Sequence, residues 1–201
     1  MKKNLVLFIH AKGGKAKEAD YYKAIFPQYD VIGLDYKGNT PLAVGDEIDN
    51  FIESVKDQYS EIFIIAISVG AYYAMSSRSG KYIKKALFIS PIIDFVFLLN
   101  SMMEFSGVTE DELEKKKIIP TTLGEDLSWE FLSYVKNHPI EWNVPTEVIY
   151  GEKDNLMPYN VVNDFCLKHS FPLFVFIDSE HYIYREDEMK KVCRIAKDFF
   201  C

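Results

Sequence analysis

Three residues of this chain, Ser68, Asp154 and His181, could together turn an alcohol into a nucleophile. A serine hydroxyl is a poor nucleophile at neutral pH. It needs an imidazole to take its proton and a carboxylate to hold that imidazole in the useful tautomer. Each of the three follows a short apolar run. Ser68 closes Ile62-Phe63-Ile64-Ile65-Ala66-Ile67, Asp154 ends Tyr150-Gly151-Glu152-Lys153-Asp154, and His181 ends Ile177-Asp178-Ser179-Glu180-His181. If those runs are strands of one parallel sheet, all three residues emerge at its C-terminal edge. The chemistry would be acyl transfer through a covalent serine intermediate.

The surroundings of Ser68 suit that task. To expose a hydroxyl at the end of a sheet, the chain must turn sharply from strand into helix, with the serine at positive φ. Such a turn admits only small side chains two residues before and two after. Ala66 and Gly70 hold those positions, so the pattern G-x-S-x-G is met with Ala in its first slot. On these residues alone, a strand closed by an ordinary capping serine would read the same way. Asp178 comes too early after its strand and reads as a turn residue. His10 reads as a structural histidine bonded to nearby loops, His138 ends a helix, and His169 suits a helix C-terminus.

The elements that must position these residues alternate along the chain. Six segments read as buried strands: Leu5–Ile9, Val31–Leu34, Ile62–Ile67, Ala86–Ile89, Glu147–Tyr150 and Leu173–Ile177. They are apolar on consecutive positions, as strands of a parallel sheet covered on both faces must be. Between them, Ile48, Phe51, Ile52, Val55 and Tyr59 form one helical face, behind a cap at Thr40-Pro41. Gly70–Ser79 reads as a helix stopped by Gly80. Pro158 opens a helix carrying Val161, Val162, Phe165 and Cys166, and a last helix carries Met189 to Phe200. This alternation predicts an α/β, three-layer, doubly wound sheet of six parallel strands.

From Ile92 to Pro145 no strand is expected. Phe95 to Phe105 is apolar and helical, Thr109-Glu110-Asp111-Glu112 fits a capping box for a helix through Lys117, and Ser128 to Asn137 forms a third. Segments after strand C-termini border the ligand crevice of open α/β sheets. Residues 92–145 are therefore expected to form a helical lid inserted after the fourth strand, within a single domain spanning 1–201. Packing on a sheet edge is the plain alternative.

Several motifs in register resemble those of the α/β-hydrolases, over nearly the full length. Phe8-Ile9-His10-Ala11-Lys12-Gly13-Gly14 resembles the first-strand segment, usually His-Gly-x-x-Gly, that forms an oxyanion hole. Asp35-Tyr36-Lys37-Gly38 resembles the turn after the next strand, Ala66–Gly70 the nucleophile elbow, Gly151–Asp154 the acid loop, and His181 the histidine loop. The resemblance implies the spatial strand order 2-1-3-4-5-6. It implies Ser68 as nucleophile, His181 as base, Asp154 as orienting acid, and the backbone N–H groups of Lys12 and Val69 as oxyanion donors. Asp94, after the fourth strand, is the rival acid. Ala11 and Ala66 stand where the family usually has Gly; at Ala11 this puts the backbone path in question, because Ala resists positive φ.

Composition bounds the rest. The chain has 201 residues, 48% of them apolar and 26% charged, enough for one domain with a large core. A net charge of −7 disfavours nucleic acid as a partner. The dispersed histidines show no metal-ligand spacing, and Gly13-Gly14 lacks the residues of a phosphate loop, so neither metal nor cofactor is expected. No membrane span is read, and Cys166, Cys193 and Cys201 read as reduced thiols of a cytoplasmic protein. The implied partner is a small-molecule acyl substrate, cleaved at an ester or related bond. A thioesterase or peptidase would use the same three side chains. A non-catalytic binder on the same scaffold would not need all three, and a flavodoxin-like nucleotide domain would want a better phosphate loop.

Overall fold

The computed structural model describes residues 2–122 and 124–201. The chain divides into two units, one formed by residues up to Ile93 together with Glu141–Cys201, the other by Asp94–Ile140.

The larger unit is built on six strands: β1 (Asn4–Ile9), β2 (Tyr29–Gly33), β3 (Ile62–Ile67), β4 (Ile83–Ile89), β7 (Thr146–Gly151) and β8 (Leu173–Phe176). They pair in the order β2-β1-β3-β4-β7-β8, every pair parallel. Counting only these six, that is the expected order 2-1-3-4-5-6. The central strands are buried on both faces because helices cover both. Alternate residues on one face, Val6, Phe8, Phe63, Ile65, Leu87 and Ile89, join a core with Val192, Ala196 and Phe200 of α8 (Glu186–Phe200). Toward the other face, α3 (Val69–Ser76) lies against β1 and β3 and packs on α2 (Pro41–Val55). Each such aliphatic or aromatic side chain contributes roughly 1.5–3 kcal/mol by leaving water. The Thr40 hydroxyl caps α2 by accepting from Ala43 N–H at 3.2 Å. Pro158 precedes α7 (Tyr159–His169).

Between β1 and β2, where no element was read from the sequence, a 3-10 turn at Ala16–Ala19 runs into α1 (Asp20–Lys23), which sends Ala19 and Tyr22 into the core. Each piece is four residues long, too short to show a period. Two expectations need correction. β4 starts at Ile83, earlier than expected, because Lys84 and Lys85 are tolerated within it. Lys84 pairs with Glu61 at 3.1 Å, and Lys85 donates to the Phe199 carbonyl at 2.5 Å. The helix after Ser68 ends at Ser76, before Gly80. There the Ser76 and Ser77 hydroxyls donate back to the carbonyls of Tyr72 and Ala74, and Ser77 is already extended.

The smaller unit holds α4 (Phe95–Ser106), α5 (Glu110–Lys116) and α6 (Trp129–Asn137). Each is capped by a side chain, of which only Thr109 was expected: Asp94 accepts from Phe97 N–H, Thr109 from Glu112 N–H, and Ser128 from Phe131 N–H. Phe95, Leu99 and Met103 are buried at helical spacing, and the Phe95 ring meets that of Phe131 at 4.9 Å. Contrary to the expectation of no strand here, β5 (Ile118–Ile119) pairs antiparallel with β6 (Leu127–Ser128). Two residues per strand leave no readable alternation.

Candidate active site

The C-terminal ends of β1, β3, β7 and β8 carry the residues singled out in the sequence. Ser68 sits between β3 and α3 with φ 54° and ψ −122°, a backbone conformation that costs a non-glycine residue about 1–3 kcal/mol. Hydrogen bonds hold it there. Its N–H donates to Ile89 O at 3.0 Å, and its carbonyl accepts from Ala71 and Ile92, each at 3.1 Å. Gly70 is required by close approach: a Cβ there would lie 2.6 Å from Ile9 O and 2.7 Å from His10 O. Ala66 is fully buried in the β3 ladder opposite Ile9, and its φ is not positive. An alanine in that slot therefore carries no strain.

Ser68 Oγ lies 2.8 Å from His181 Nε2, and His181 Nδ1 lies 2.7 Å from Asp154 Oδ2. A carboxylate can only accept, so Nδ1 carries the proton and Nε2 is left to accept from the serine hydroxyl. Ser68 and His181 are buried, and the Asp154 side chain is fully so. The second Asp154 oxygen accepts from Leu156 N–H at 2.8 Å and Met157 N–H at 3.1 Å. The rival, Asp94, spends its carboxylate on the α4 cap. Asp178, at φ 59°, is a turn residue paired with Lys153 at 2.8 Å, as read from its spacing.

Of the two expected oxyanion donors, Val69 is the first residue of α3, where a backbone N–H has no acceptor within the helix. Lys12 stands in the turn after β1 that Gly14 N–H closes onto Ala11 O at 2.9 Å. The positive φ of this turn falls on Gly13, at 73°, and not on Ala11. The departure from Gly at position 11 is thereby accommodated. His10 is structural, as expected. It is buried, its Nδ1 donates to Ala11 O at 2.8 Å, and its ring stacks on Tyr36 at 4.1 Å. The Tyr36 hydroxyl donates to His10 O at 3.0 Å, and burial pushes that phenol's pKa well up. Among the described residues no group of side chains could hold a metal ion.

Two residues quoted in the sequence only as members of motifs have roles that were not read there. Tyr36 braces the β1 turn. Gly151 lets the His181 loop cross the Asp154 loop, since a Cβ there would lie 2.3 Å from Glu180 O. Lys153 N–H donates to Ser179 O at 2.8 Å across the same crossing.

A strained serine elbow after the third strand, with acid and histidine after the last two, on a sheet of this order, defines the α/β-hydrolase fold. No family model matches the chain. It is similar to "Putative esterase/lipase 3" of Mycoplasma genitalium, with 24% identity over 89% of this chain and 77% of that protein. Among solved structures it is similar to Est1E from Butyrivibrio proteoclasticus, with TM-score 0.75, 16% identity and coverage of 98% and 87% of the two chains. It also resembles α/β hydrolase domain-containing protein 10 from mouse, with TM-score 0.72, 14% identity and coverage of 97% and 88%. A monoglyceride lipase from Saccharomyces cerevisiae superposes with TM-score 0.65 at 15% identity, covering 98% and 86%.

Proposed function

We propose that this chain is a serine hydrolase that cleaves an ester or related acyl bond through an acyl-enzyme. The observation that carries the reading is the unbroken hydrogen-bonded series Ser68 Oγ, His181 and Asp154, at 2.8 and 2.7 Å. In the first half-reaction Ser68 Oγ attacks the acyl carbonyl carbon while its proton passes to His181 Nε2. Asp154 keeps the Nδ1 proton in place and stabilises the imidazolium that forms. The carbonyl oxygen becomes an oxyanion, which the backbone N–H groups of Val69 and Lys12 receive. Losing one such donor typically costs about 10²–10³ in rate. The intermediate collapses, His181 returns the proton to the leaving oxygen, and the acyl group stays on Ser68. In the second half His181 takes a proton from water, which attacks the acyl carbon and frees Ser68.

The names of the similar proteins, esterases and lipases, support an ester as the scissile bond and a small-molecule acyl substrate. No helix among the described residues is long and apolar enough to cross a membrane. The three free thiols fit a reducing compartment, and we read the protein as cytoplasmic. The smaller unit enters after β4, whose C-terminal end neighbours that of β3. This connection supports reading 92–145 as the lid of a single 1–201 domain.

The test is labelling with a fluorophosphonate probe, which reacts with an activated serine. Wild type should label and Ser68→Ala should not. Equal labelling of the two would end the assignment.

A further inference from the structure

We infer that Glu188 is a positioning residue for His181: its buried carboxylate fastens both ends of the loop that carries the imidazole. The inference rests on the reading of His181 as the base, and nothing in the motifs pointed to Glu188. It lies in the first turn of α8, only 3% exposed. One end of the His181 loop reaches it through Ser179, whose hydroxyl donates to Oε1. The other end reaches it through backbone, with Tyr184 N–H at 3.2 Å and Arg185 N–H at 2.8 Å, both to Oε2. The Arg185 guanidinium closes the cluster, 2.8 Å from Oε1 and 3.3 Å from Ser179 Oγ. His181 lies between these two anchors.

A glutamate that accepts from the backbone at a helix start is ordinary capping. Two features go beyond it. An exposed cap would have sufficed for the helix, whereas this carboxylate is buried, where an unpaired charge is costly. Its partners also reach outward, because Ser179 is itself buried and accepts at its carbonyl from Lys153, beside Asp154. One side chain thus holds the His181 loop to α8, while that loop's backbone holds the acid loop. Burial pushes the Glu188 carboxyl up, but the hydrogen bonds from Ser179 and Arg185 and the Arg185 charge outweigh it and hold its pKa below the ordinary value. The group that clamps the loop is therefore a carboxylate at neutral pH.

The consequence is kinetic. Misplacing a reacting group by about 1 Å can cost about 10²-fold in rate. Glu188→Ala should lower kcat on a p-nitrophenyl ester about 10- to 100-fold with KM within about twofold. Glu188→Gln still accepts both backbone N–H groups and should recover most of that loss. Ser179→Ala should lower kcat by a smaller factor and serves if Glu188→Ala does not fold. A second readout needs no activity: nitrogen-15 shifts of the His181 ring. Wild type should show one tautomer with the proton on Nδ1, Glu188→Ala should move toward the averaged pattern of a free imidazole, and Glu188→Gln should stay near wild type. If the fluorophosphonate test failed, these shifts would still judge the clamp separately. Folded Glu188→Ala with wild-type kcat and ring shifts would overturn the inference. So would Ser179→Ala with both unchanged if Glu188→Ala does not fold.

Discussion

Asp154 meets His181 with one carboxylate oxygen and its own loop with the other. Oδ2 lies 2.7 Å from His181 Nδ1, while Oδ1 accepts from the N–H groups of Leu156 and Met157. The acid is therefore aimed by backbone, not by packing alone. In Asp154→Asn the carbonyl oxygen can keep the loop contacts, which turns the amide N–H₂ toward Nδ1. That donor selects the wrong tautomer, and kcat should fall about 10⁴-fold with the fold intact. Asp94→Asn should leave kcat within about twofold, since Asn caps a helix as well as Asp. Steady-state ester kinetics on both variants decide, and a larger loss at Asp94 would overturn the assignment of the acid.

The elbow makes unequal demands on its two small residues. Gly70→Ala puts a methyl group into the carbonyls of Ile9 and His10, and backbone cannot step aside as a side chain does. Overpacking of this kind costs about 1–3 kcal/mol, and it should displace the Ser68 turn, so both melting temperature and kcat should drop. Ala66→Gly restores the residue usual in the family but removes a buried methyl from a strand. It should cost about 0.5–1 kcal/mol in thermal or urea unfolding and leave kcat near wild type. An increase in activity on Ala66→Gly would mean that Ala66 is a compromise after all.

How much of this was legible follows from which residues carry their own pattern. The central strands were readable because burial on both faces makes them continuous apolar runs such as Leu5–Ile9 and Ile62–Ile67. Ser68, Asp154 and His181 were readable because each had to stand just after such a run. Ala11 looked like a flaw because only the local motif was visible; the turn puts its positive φ on Gly13 instead. Glu188 was invisible for a different reason. In Glu186-Asp187-Glu188 all three acids suit a helix start, and only the fold shows that one is buried against Ser179.

The turn after β1 gives a third prediction. Gly13 has φ 73° with nothing within 4 Å of where a Cβ would stand, so Gly13→Ala meets strain without a clash. The left-handed conformation costs an alanine about 1–2 kcal/mol. If the turn relaxes to avoid that cost, the Lys12 N–H moves and the proposed oxyanion donor is lost. The expected result is a kcat reduced by about 10²-fold or more with KM little changed. Ala11→Gly should be near neutral in both kinetics and melting. Loss of stability in Gly13→Ala with full activity would remove Lys12 from the proposed oxyanion hole.

The cysteines should separate cleanly by reactivity. Burial pushes the Cys166 thiol up to about 11, so at pH 8 it is both inaccessible and protonated. Cys201 is exposed. An aromatic disulfide reagent at pH 8 should titrate Cys201 rapidly in the native protein and Cys166 only after denaturant is added. Fast native labelling at Cys166, located by peptide mass, would contradict its place in the core.

Acid stability reports on Glu188 directly. Its pKa lies below the ordinary 4.5, so the native state binds its proton less readily than the unfolded chain does. The stability this confers is complete above the unfolded value and is lost as pH falls through the lower folded one. The charged group facing the carboxylate is the Arg185 guanidinium, which does not titrate in this range. Other carboxylates with lowered values, among them Asp30, Asp35 and Asp178, titrate alike in wild type and variant, so they cancel in a difference. Urea unfolding of wild type and Glu188→Gln should therefore give curves separated by a constant gap at neutral pH that narrows below pH ~4.5. A gap independent of pH would mean that Glu188 binds its proton equally well in the native and unfolded protein, and its role as a charged clamp would fall.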